Sequence, residues 1–184
     1  MVRVVIIFFI LNLYIPAFSS TKEKIISQME FTNNLSFNFI QTIDNKSENG
    51  KCIIKYPKKI WCKYNNSNKK IIVSNGKSLI IKTANQGSYF RYDLEKTPLI
   101  FLLDKEYLIS KMNSLELNEI DNKYLYFKIY ENNDQISVFF DKKSLSLIGW
   151  QTEDVYQNLA ITFISSVKIN QKVKDSIFTL PKDN

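Results

Sequence analysis

The chain has 184 residues, a formal net charge of +7 and 14% aromatic side chains, and it contains no histidine. The lack of histidine excludes Ser-His-Asp and Cys-His nucleophile activation and histidine-based metal sites. Only four glycines are present, and they form neither a phosphate-binding loop nor a dinucleotide-binding motif. The composition therefore argues against most hydrolase mechanisms and nucleotide chemistry, and we expect neither a metal nor a cofactor.

Residues 1–19 are predicted to be a cleavable signal peptide. Arg3 precedes an apolar run that reaches Ile15, and Pro16 and the small residues up to Ser19 complete the basic, apolar and small-residue order of such a signal. The alternative is a membrane anchor, but about 12 apolar residues fall short of the roughly 20 that span a bilayer. No cysteine directly follows Ser19, so we expect no lipid anchor, and residues 20–184 are expected to form one domain.

The positive charge is predicted to lie on a solvated surface. Lysines are scattered among carboxylates rather than clustered. Together with the predicted export, this pattern argues against a nucleic-acid partner and leaves at most a mild attraction to anionic membranes.

A helix leading directly into a strand is predicted after the signal. Ser20, with Glu23 three residues later, matches a capping box. The apolar residues that follow recur at the spacing of one helix face: Ile25, Ile26 and Met29. From Leu35 the apolar positions recur every two residues as far as Phe39, and the region of Gln41 is less apolar.

Five short strands divided by turn residues are predicted next, as an antiparallel meander. They cover residues 51–56, 60–64, 70–73, 78–82 and 88–92. Asn75-Gly76 is the clearest turn, because both residues tolerate the positive φ of a type I′ hairpin.

Cys52 and Cys62 are predicted to approach each other across the first hairpin of this meander. If the chain turns at Pro57-Lys58-Lys59, both cysteines lie on the same face of the sheet. Export permits a disulfide between them. The alternative, two small buried core residues, stays open.

Thr97 and Pro98 interrupt the meander, because threonine caps helices and proline suits the first helical position. Residues 99–103, followed by Tyr107 and Leu108, supply the apolar residues of the predicted helix. Strands resume at residues 124–130, 135–140, 146–150, 159–168 and 177–180. The predicted class is therefore α+β, a long antiparallel sheet with a helix in front and one or two short helices inserted midway.

Paired carboxylates are the main remaining route to catalysis. Glu153 with Asp154, or Glu116 with Glu119, would share acid and base work in a glycosidase-like site. Solvated surface charge is the favoured alternative, because nothing in the spacing fixes a separation of the carboxyl groups. We therefore predict that the protein is not an enzyme, and that its apolar sheet face is either filled by helices or left with a cavity.

Short motifs follow one another in a characteristic order after the signal. They are Phe39-Ile40-Gln41, Gly50, Tyr56-Pro57, Ile60-Trp61-Cys62, Ser74-Asn75-Gly76-Lys77-Ser78-Leu79, Thr97-Pro98-Leu99, Leu102-Leu103, Leu147-Ile148-Gly149-Trp150, Asp154, Asn158 and Ile177-Phe178-Thr179-Leu180-Pro181. In this order they resemble the periplasmic outer-membrane lipoprotein carrier proteins, the LolA family. The ordered set carries the resemblance, since no single motif is specific.

The resemblance implies an incomplete antiparallel β-barrel, a strongly curved sheet, with an N-terminal helix and short lid helices over an apolar cavity. It implies a chaperone in the periplasm that takes triacylated lipoproteins from an inner-membrane ABC transporter (LolCDE-like) to an outer-membrane acceptor (LolB-like). It also implies that the protein is a monomer and takes part in lipoprotein transport and outer-membrane biogenesis. The alternative is an envelope protein of related fold that binds another lipid or senses envelope stress.

The resemblance also implies which residues contact the cargo. These are apolar residues of the sheet and the lid: Met29, Ile60, Cys62, Ile100, Leu102 and Leu103. Ordinary core packing is the alternative for each of them. The family commonly has an arginine before Pro57 that holds the lid; here Tyr56 stands in its place and is expected to fasten the lid through a hydrogen bond to lid backbone. Gln157 is a second departure, since many relatives have glycine there.

Overall fold

The computed structural model describes residues 19–66, 69–83, 89–131, 134–153 and 158–180. The strands are β1 (Asn34–Ile43), β2 (Lys46–Lys55), β3 (Lys59–Tyr64), β4 (Ile71–Asn75), β5 (Ser78–Lys82), β6 (Tyr89–Asp93), β7 (Asn118–Ile120), β8 (Tyr124–Glu131), β9 (Asp134–Asp141), β10 (Leu147–Glu153) and β11 (Leu159–Ile169). The helices are α1 (Thr21–Phe31), α2 (Ile100–Leu103) and α3 (Lys105–Ser114), with short 3-10 helices at Leu94–Lys96 and Asp175–Phe178. The predicted signal peptide lies outside the described residues apart from Ser19.

One antiparallel sheet contains all eleven of these strands, in the order β6-β5-β4-β3-β2-β1-β11-β10-β9-β8-β7. Neighbouring strands are consecutive in the chain except at the centre, where β1 pairs with β11. The edge strands β6 and β7 do not pair with each other, so the curved sheet stays unclosed. The predicted fold class, an incomplete antiparallel barrel with a few helices, is confirmed.

Helix α1 begins where the sequence predicts. The Ser20 hydroxyl accepts a hydrogen bond from the backbone N–H of Glu23 (3.2 Å), and the Glu23 carboxylate accepts one from the backbone N–H of Ser20 (2.8 Å). These reciprocal bonds complete the capping box. The apolar face of the helix, formed by Ile25, Ile26 and Met29, is buried against the sheet and lid.

The tight turns agree only in part with those predicted from the sequence. Two consecutive residues with positive φ, Asp44 and Asn45, join β1 to β2, so the type I′ backbone lies there. Of the Asn75-Gly76 pair only Gly76 has positive φ. The Asn75 side chain instead accepts bonds from the backbone N–H groups of Lys77 (3.0 Å) and Ser78 (3.1 Å), so the predicted turn exists but its predicted type is wrong.

The segment between β6 and β7 forms the lid. Asp93 caps the 3-10 helix Leu94–Lys96, and α2 starts only at Ile100, two residues after the predicted first helical position, Pro98. The Thr97 hydroxyl does not cap α2, because it donates to the Leu94 carbonyl (2.8 Å). Asp104 then separates α2 from α3.

The C-terminal apolar run is not a strand, contrary to the prediction for residues 177–180. It forms the 3-10 helix Asp175–Phe178, which packs on β3 and β4. Phe178 is buried, and the Asp175 carboxylate forms ion pairs with the ammonium groups of Lys55 (3.0 Å) and Lys59 (3.1 Å). These side-chain contacts, rather than a backbone ladder, hold the segment in place.

The hydrophobic core lies between the inner face of the sheet and the helices. Alternate residues of each strand point inward, as at Leu35, Phe37 and Phe39 of β1. Leu102 and Leu103 of α2 and Leu108 and Met112 of α3 are fully buried in the same cluster. The helices therefore cover the inner face and leave a cavity at one part of it.

Candidate functional site

An apolar cavity of about 290 Å³ lies between the inner face of the sheet and the lid. It is lined by Phe39, Gln41, Ile43, Cys52, Ile60, Cys62, Tyr64, Lys70, Ile72, Ile81, Thr97, Pro98, Leu99, Leu102, Ile136, Trp150, Thr152, Ala160 and Thr162. Apolar atoms dominate this lining, as is usual for sites that bind small molecules or lipids.

One end of the cavity is apolar. Ile60 of β3 and Leu102 of the lid line the cavity there, and both are almost completely buried. Nearby, the backbone N–H of Lys58 donates to the Leu103 carbonyl (2.9 Å), which ties the start of β3 to the end of α2. This end is therefore the end at which the lid is attached.

The other end of the cavity is polar. The Tyr64 hydroxyl donates to the Gln41 side-chain oxygen (3.1 Å), and the Gln41 amide donates to the Thr162 hydroxyl (3.2 Å). Burial, and to a smaller extent the Glu48 carboxylate, raises the pKa of the Tyr64 hydroxyl, which therefore stays protonated at neutral pH. The three side chains form a hydrogen-bonded chain across β3, β1 and β11.

Lys70 is the cation at this polar end. Its ammonium group forms an ion pair with Glu48 and lies 3.8 Å from the centre of the Tyr64 ring. Glu48 and Gln41 also line a neighbouring surface depression. The polar end therefore faces solvent, whereas the apolar end lies under the lid.

A glycine positions the aromatic wall between these ends. Gly50 of β2 lies in register between Phe39 of β1 and Tyr64 of β3. The two rings meet across it, edge to face, with centroids 4.8 Å apart. A Cβ at Gly50 would lie 2.2 Å from the Lys63 carbonyl oxygen and 2.8 Å from the Phe39 ring, so only glycine allows this contact.

Several lysine contacts fasten the lid. Besides its backbone bond to Leu103, Lys58 places its ammonium group 3.2 Å from the Asp104 carboxylate. Lys105, in the first turn of α3, donates to the carbonyls of Glu30 (2.9 Å) and Thr32 (3.0 Å) at the end of α1. The lid is thus tied both to the sheet and to α1.

Tyr56 does not fasten the lid in the way the sequence predicts. Its hydroxyl is buried and has no hydrogen-bond partner among the described residues, and burial raises its pKa. The ring packs on the core, and the Lys105 ammonium lies 5.7 Å from its centre. The Tyr56 phenol therefore makes no hydrogen bond to lid backbone, and the polar contacts of the lid include those of Lys58 and Lys105.

The predicted cargo residues fall into three groups. Ile60, Cys62 and Leu102 line the cavity. Met29 lines a separate cavity of about 230 Å³ between α1 and the sheet. Ile100 packs partly buried against the core, and Leu103 is fully buried in it, and neither is among the residues lining these two cavities.

Cys52 and Cys62 lie directly opposite each other on β2 and β3 and are joined by a disulfide. Both belong to the cavity lining. The disulfide therefore fixes two neighbouring strands at the middle of the cavity wall.

Gln41, Tyr64 and Thr162 were missed as site residues by the sequence analysis. A signal was present for Gln41, because the period of two that joins Leu35 to Phe39 also places Gln41 on the inner face. A polar residue at such a position is unusual enough to indicate a site. Their convergence from three strands could not be inferred from local pattern.

The carboxylates that the sequence offered for catalysis are described only in part. Glu119 of the Glu116 and Glu119 pair lies 2.6 Å from the Lys142 ammonium, and no group of three or more potential metal-ligating residues occurs in the described parts of the chain. Asp154, Gln157 and the Glu153 side chain lie outside what is described. None of the described helices has both the length and the apolar character needed to cross a bilayer.

Comparison with known protein families identifies one match. Residues 30–181 match the model of the family described as outer membrane lipoprotein carrier protein LolA. No curated protein matches the chain.

Several solved structures resemble this fold at low sequence identity. A LolA superfamily protein from Nitrosomonas europaea is 8% identical, with a TM-score of 0.49 over 88% of this chain and 99% of that protein. An outer membrane lipoprotein-sorting protein domain from Vibrio parahaemolyticus is 7% identical, with a TM-score of 0.49 over 86% of this chain and 97% of that domain. A DUF1329 family protein from Desulfovibrio piger is 8% identical, with a TM-score of 0.48 over 86% of this chain and 95% of that protein.

Proposed function

We propose, from the premise that this chain belongs to the LolA family of outer membrane lipoprotein carrier proteins, that it carries the acyl chains of lipoproteins across the periplasm. The observation that carries the proposal is the apolar cavity under the lid, which is bonded to the sheet at the apolar end of the cavity. In this role the protein binds and releases its cargo without changing it chemically.

The physical need for such a cavity is large. Transferring an acyl chain into water costs about 0.8 kcal/mol per methylene, so a chain of about 15 methylenes costs roughly 12 kcal/mol. A carrier removes this barrier by keeping the chain in apolar surroundings. The residues at the closed end of the cavity, Ile60 and Leu102, provide such surroundings.

The cavity in this structure is smaller than a complete lipoprotein anchor. If a methylene occupies about the volume of a water molecule, roughly 30 Å³, the 290 Å³ cavity holds about ten methylenes. Three acyl chains therefore require the lid to move away from the sheet. The Lys58–Asp104 pair offers little resistance to this movement, because it is partly exposed and such pairs contribute little stability.

The proposed cycle has two partners. An ABC transporter of the inner membrane loads the triacylated lipoprotein, and an acceptor at the outer membrane receives it. The size of the cavity also favours a second candidate, a carrier in the same compartment for a lipid with a single acyl chain, since the cavity holds about two thirds of one such chain without lid opening.

Native mass spectrometry of the protein purified from the periplasm of cells that make a tagged lipoprotein tests the proposal. We expect a one-to-one complex with triacylated cargo, and release of lipoproteins from spheroplasts when the purified protein is added. A protein that carries a single-chain lipid instead would support the second candidate. An empty protein that releases nothing would refute both.

A matched pair of variants on β11 locates the binding site. Ala160 lines the cavity, whereas its neighbour Leu159 points to the opposite face and is 47% exposed. Ala160→Phe should fill the cavity and lower cargo binding, and Leu159→Phe should leave it unchanged. Equal effects of the two substitutions would place the cargo elsewhere.

A further inference from the structure

The two ends of the cavity differ in chemistry, and the difference bears on what the cavity accepts. The end near Ile60 and Leu102 offers only apolar surface, while the end near Gln41 presents hydrogen-bonding side chains. An acyl chain therefore enters tail first toward the lid attachment. The group that joins the chain to the rest of its molecule then lies at the polar end.

The hydrogen-bonded chain at the polar end has unused capacity. Tyr64 donates to Gln41, and Gln41 donates through one amide hydrogen to Thr162. The Thr162 hydroxyl still has its own hydrogen to donate, and the Gln41 amide has a second. Thr162 is 3% exposed, so a ligand group placed beside it would meet a donor at which water does not easily compete.

The charge at the polar end is balanced. Of the described residues that line the cavity, Lys70 alone is positively charged, and its ammonium group is paired with Glu48 and stacked on the Tyr64 ring. A carboxylate or phosphate would have to displace Glu48 or lie beside it. The pair is only partly exposed, and a second negative charge beside the Glu48 carboxylate is repelled by it.

We propose that Gln41, Tyr64 and Thr162 form a subsite for the uncharged ester or amide group that links an acyl chain to its carrier molecule. The subsite makes the cavity prefer chains in ester or amide linkage over free fatty acids, whose carboxylate is charged. This inference rests on the proposed function, since it requires the cavity to bind acyl chains.

Competition with the fluorescent apolar probe N-phenyl-1-naphthylamine tests the subsite at pH 8. Monolauroylglycerol and laurate carry the same chain and differ in the head, ester in one and carboxylate in the other. We expect the ester to displace the probe at a concentration about tenfold lower than laurate, the ratio that one or two neutral hydrogen bonds provide.

Thr162→Val and Tyr64→Phe should remove most of this preference while the probe itself still binds. Thr42→Val is the matched control, because Thr42 neighbours Gln41 on β1 but bonds to Ser47 outside the cavity lining. The second cavity variant, Tyr64→Phe, keeps the test meaningful if Thr162→Val fails to fold.

The outcomes separate the two proposals. Preference for the ester in the unmodified protein and its loss in the two cavity variants supports the subsite. Equal binding of both lipids, or stronger binding of laurate, overturns the subsite and leaves the acyl-chain cavity intact. Failure of the probe and of both lipids to bind refutes the proposed function together with the subsite.

Discussion

The Tyr56 hydroxyl lies buried without a hydrogen-bond partner among the described residues. Leaving a buried hydroxyl unpaired costs about 1–3 kcal/mol. Tyr56→Phe removes the hydroxyl and keeps the ring that packs on the core. We therefore expect the variant to be more stable by about 1 kcal/mol, measured by urea unfolding.

Tyr64→Phe is the matched control for this prediction. Its hydroxyl is also buried but donates to Gln41 (3.1 Å), so its removal should lower the free energy of unfolding by about 1 kcal/mol. Destabilisation by Tyr56→Phe would show that the Tyr56 hydroxyl has a partner in solution.

Single residues show where reading the sequence succeeds and where it stops. The capping box of Ser20 and Glu23 was predictable because both partners lie within one turn of helix. The hydrogen-bonded chain of Gln41, Tyr64 and Thr162 was not, because its members come from three strands and meet only through strand register. Local pattern defines the face on which a residue lies, and pairing defines its neighbours.

At the scale of elements, Asp104 joins the lid to the sheet and also caps α3. One carboxylate oxygen accepts the Tyr107 N–H (3.1 Å), and the other lies 3.2 Å from the Lys58 ammonium. Asp104→Asn keeps a good cap but loses the charge, so we expect a loss of less than about 1 kcal/mol. Asp104→Ala also loses the cap and should cost about 1 kcal/mol more.

Thermal unfolding of the two variants and hydrogen exchange of the α2 and α3 amides measure these losses. Raising the ionic strength should bring the unmodified protein closer to Asp104→Asn, because salt screens a partly exposed pair. If the Asn and Ala variants unfold alike, the carboxylate does not cap α3 in solution.

The elements that sequence reasoning placed wrongly are those held by distant contacts. Residues 177–180 show the apolar run of a strand, but Asp175 is held by Lys55 and Lys59 more than a hundred residues earlier in the chain, which favours a 3-10 turn. The first half of β2, from Lys46 to Asn49, shows no apolar alternation and is a strand because it pairs with β1. Elements with a clear period of two, such as β5, were predicted closely.

For the whole molecule, carboxyl groups are expected to control how stability depends on pH. Hydrogen bonds, from backbone N–H groups or from lysines, lower the pKa values of Glu23, Glu131, Asp141 and Asp175 in the folded state. A lowered folded pKa adds stability that is fully present above the unfolded pKa, roughly 4 for these groups. That stability is lost as the pH falls through the lower folded values.

The expected profile is thus level between about pH 6 and 8 and falls below about pH 4. The level part follows because the chain has no histidine to titrate there. Urea midpoints across this range measure the profile, and Glu131→Gln, which removes the carboxylate paired with Lys111, should make the acid limb shallower. A steep change between pH 6 and 8 would contradict the prediction.

The central pairing of β1 with β11 has a consequence for the order in which the chain folds. Leu35 pairs with Ile169, so the middle of the sheet joins its first and last strands in chain order. During synthesis, β1 can pair with β2 early but cannot pair with β11 until strands β2 to β10 have been made. Such long-range closure is slow, so the two halves of the sheet stay separate at their centre until β11 is available to pair.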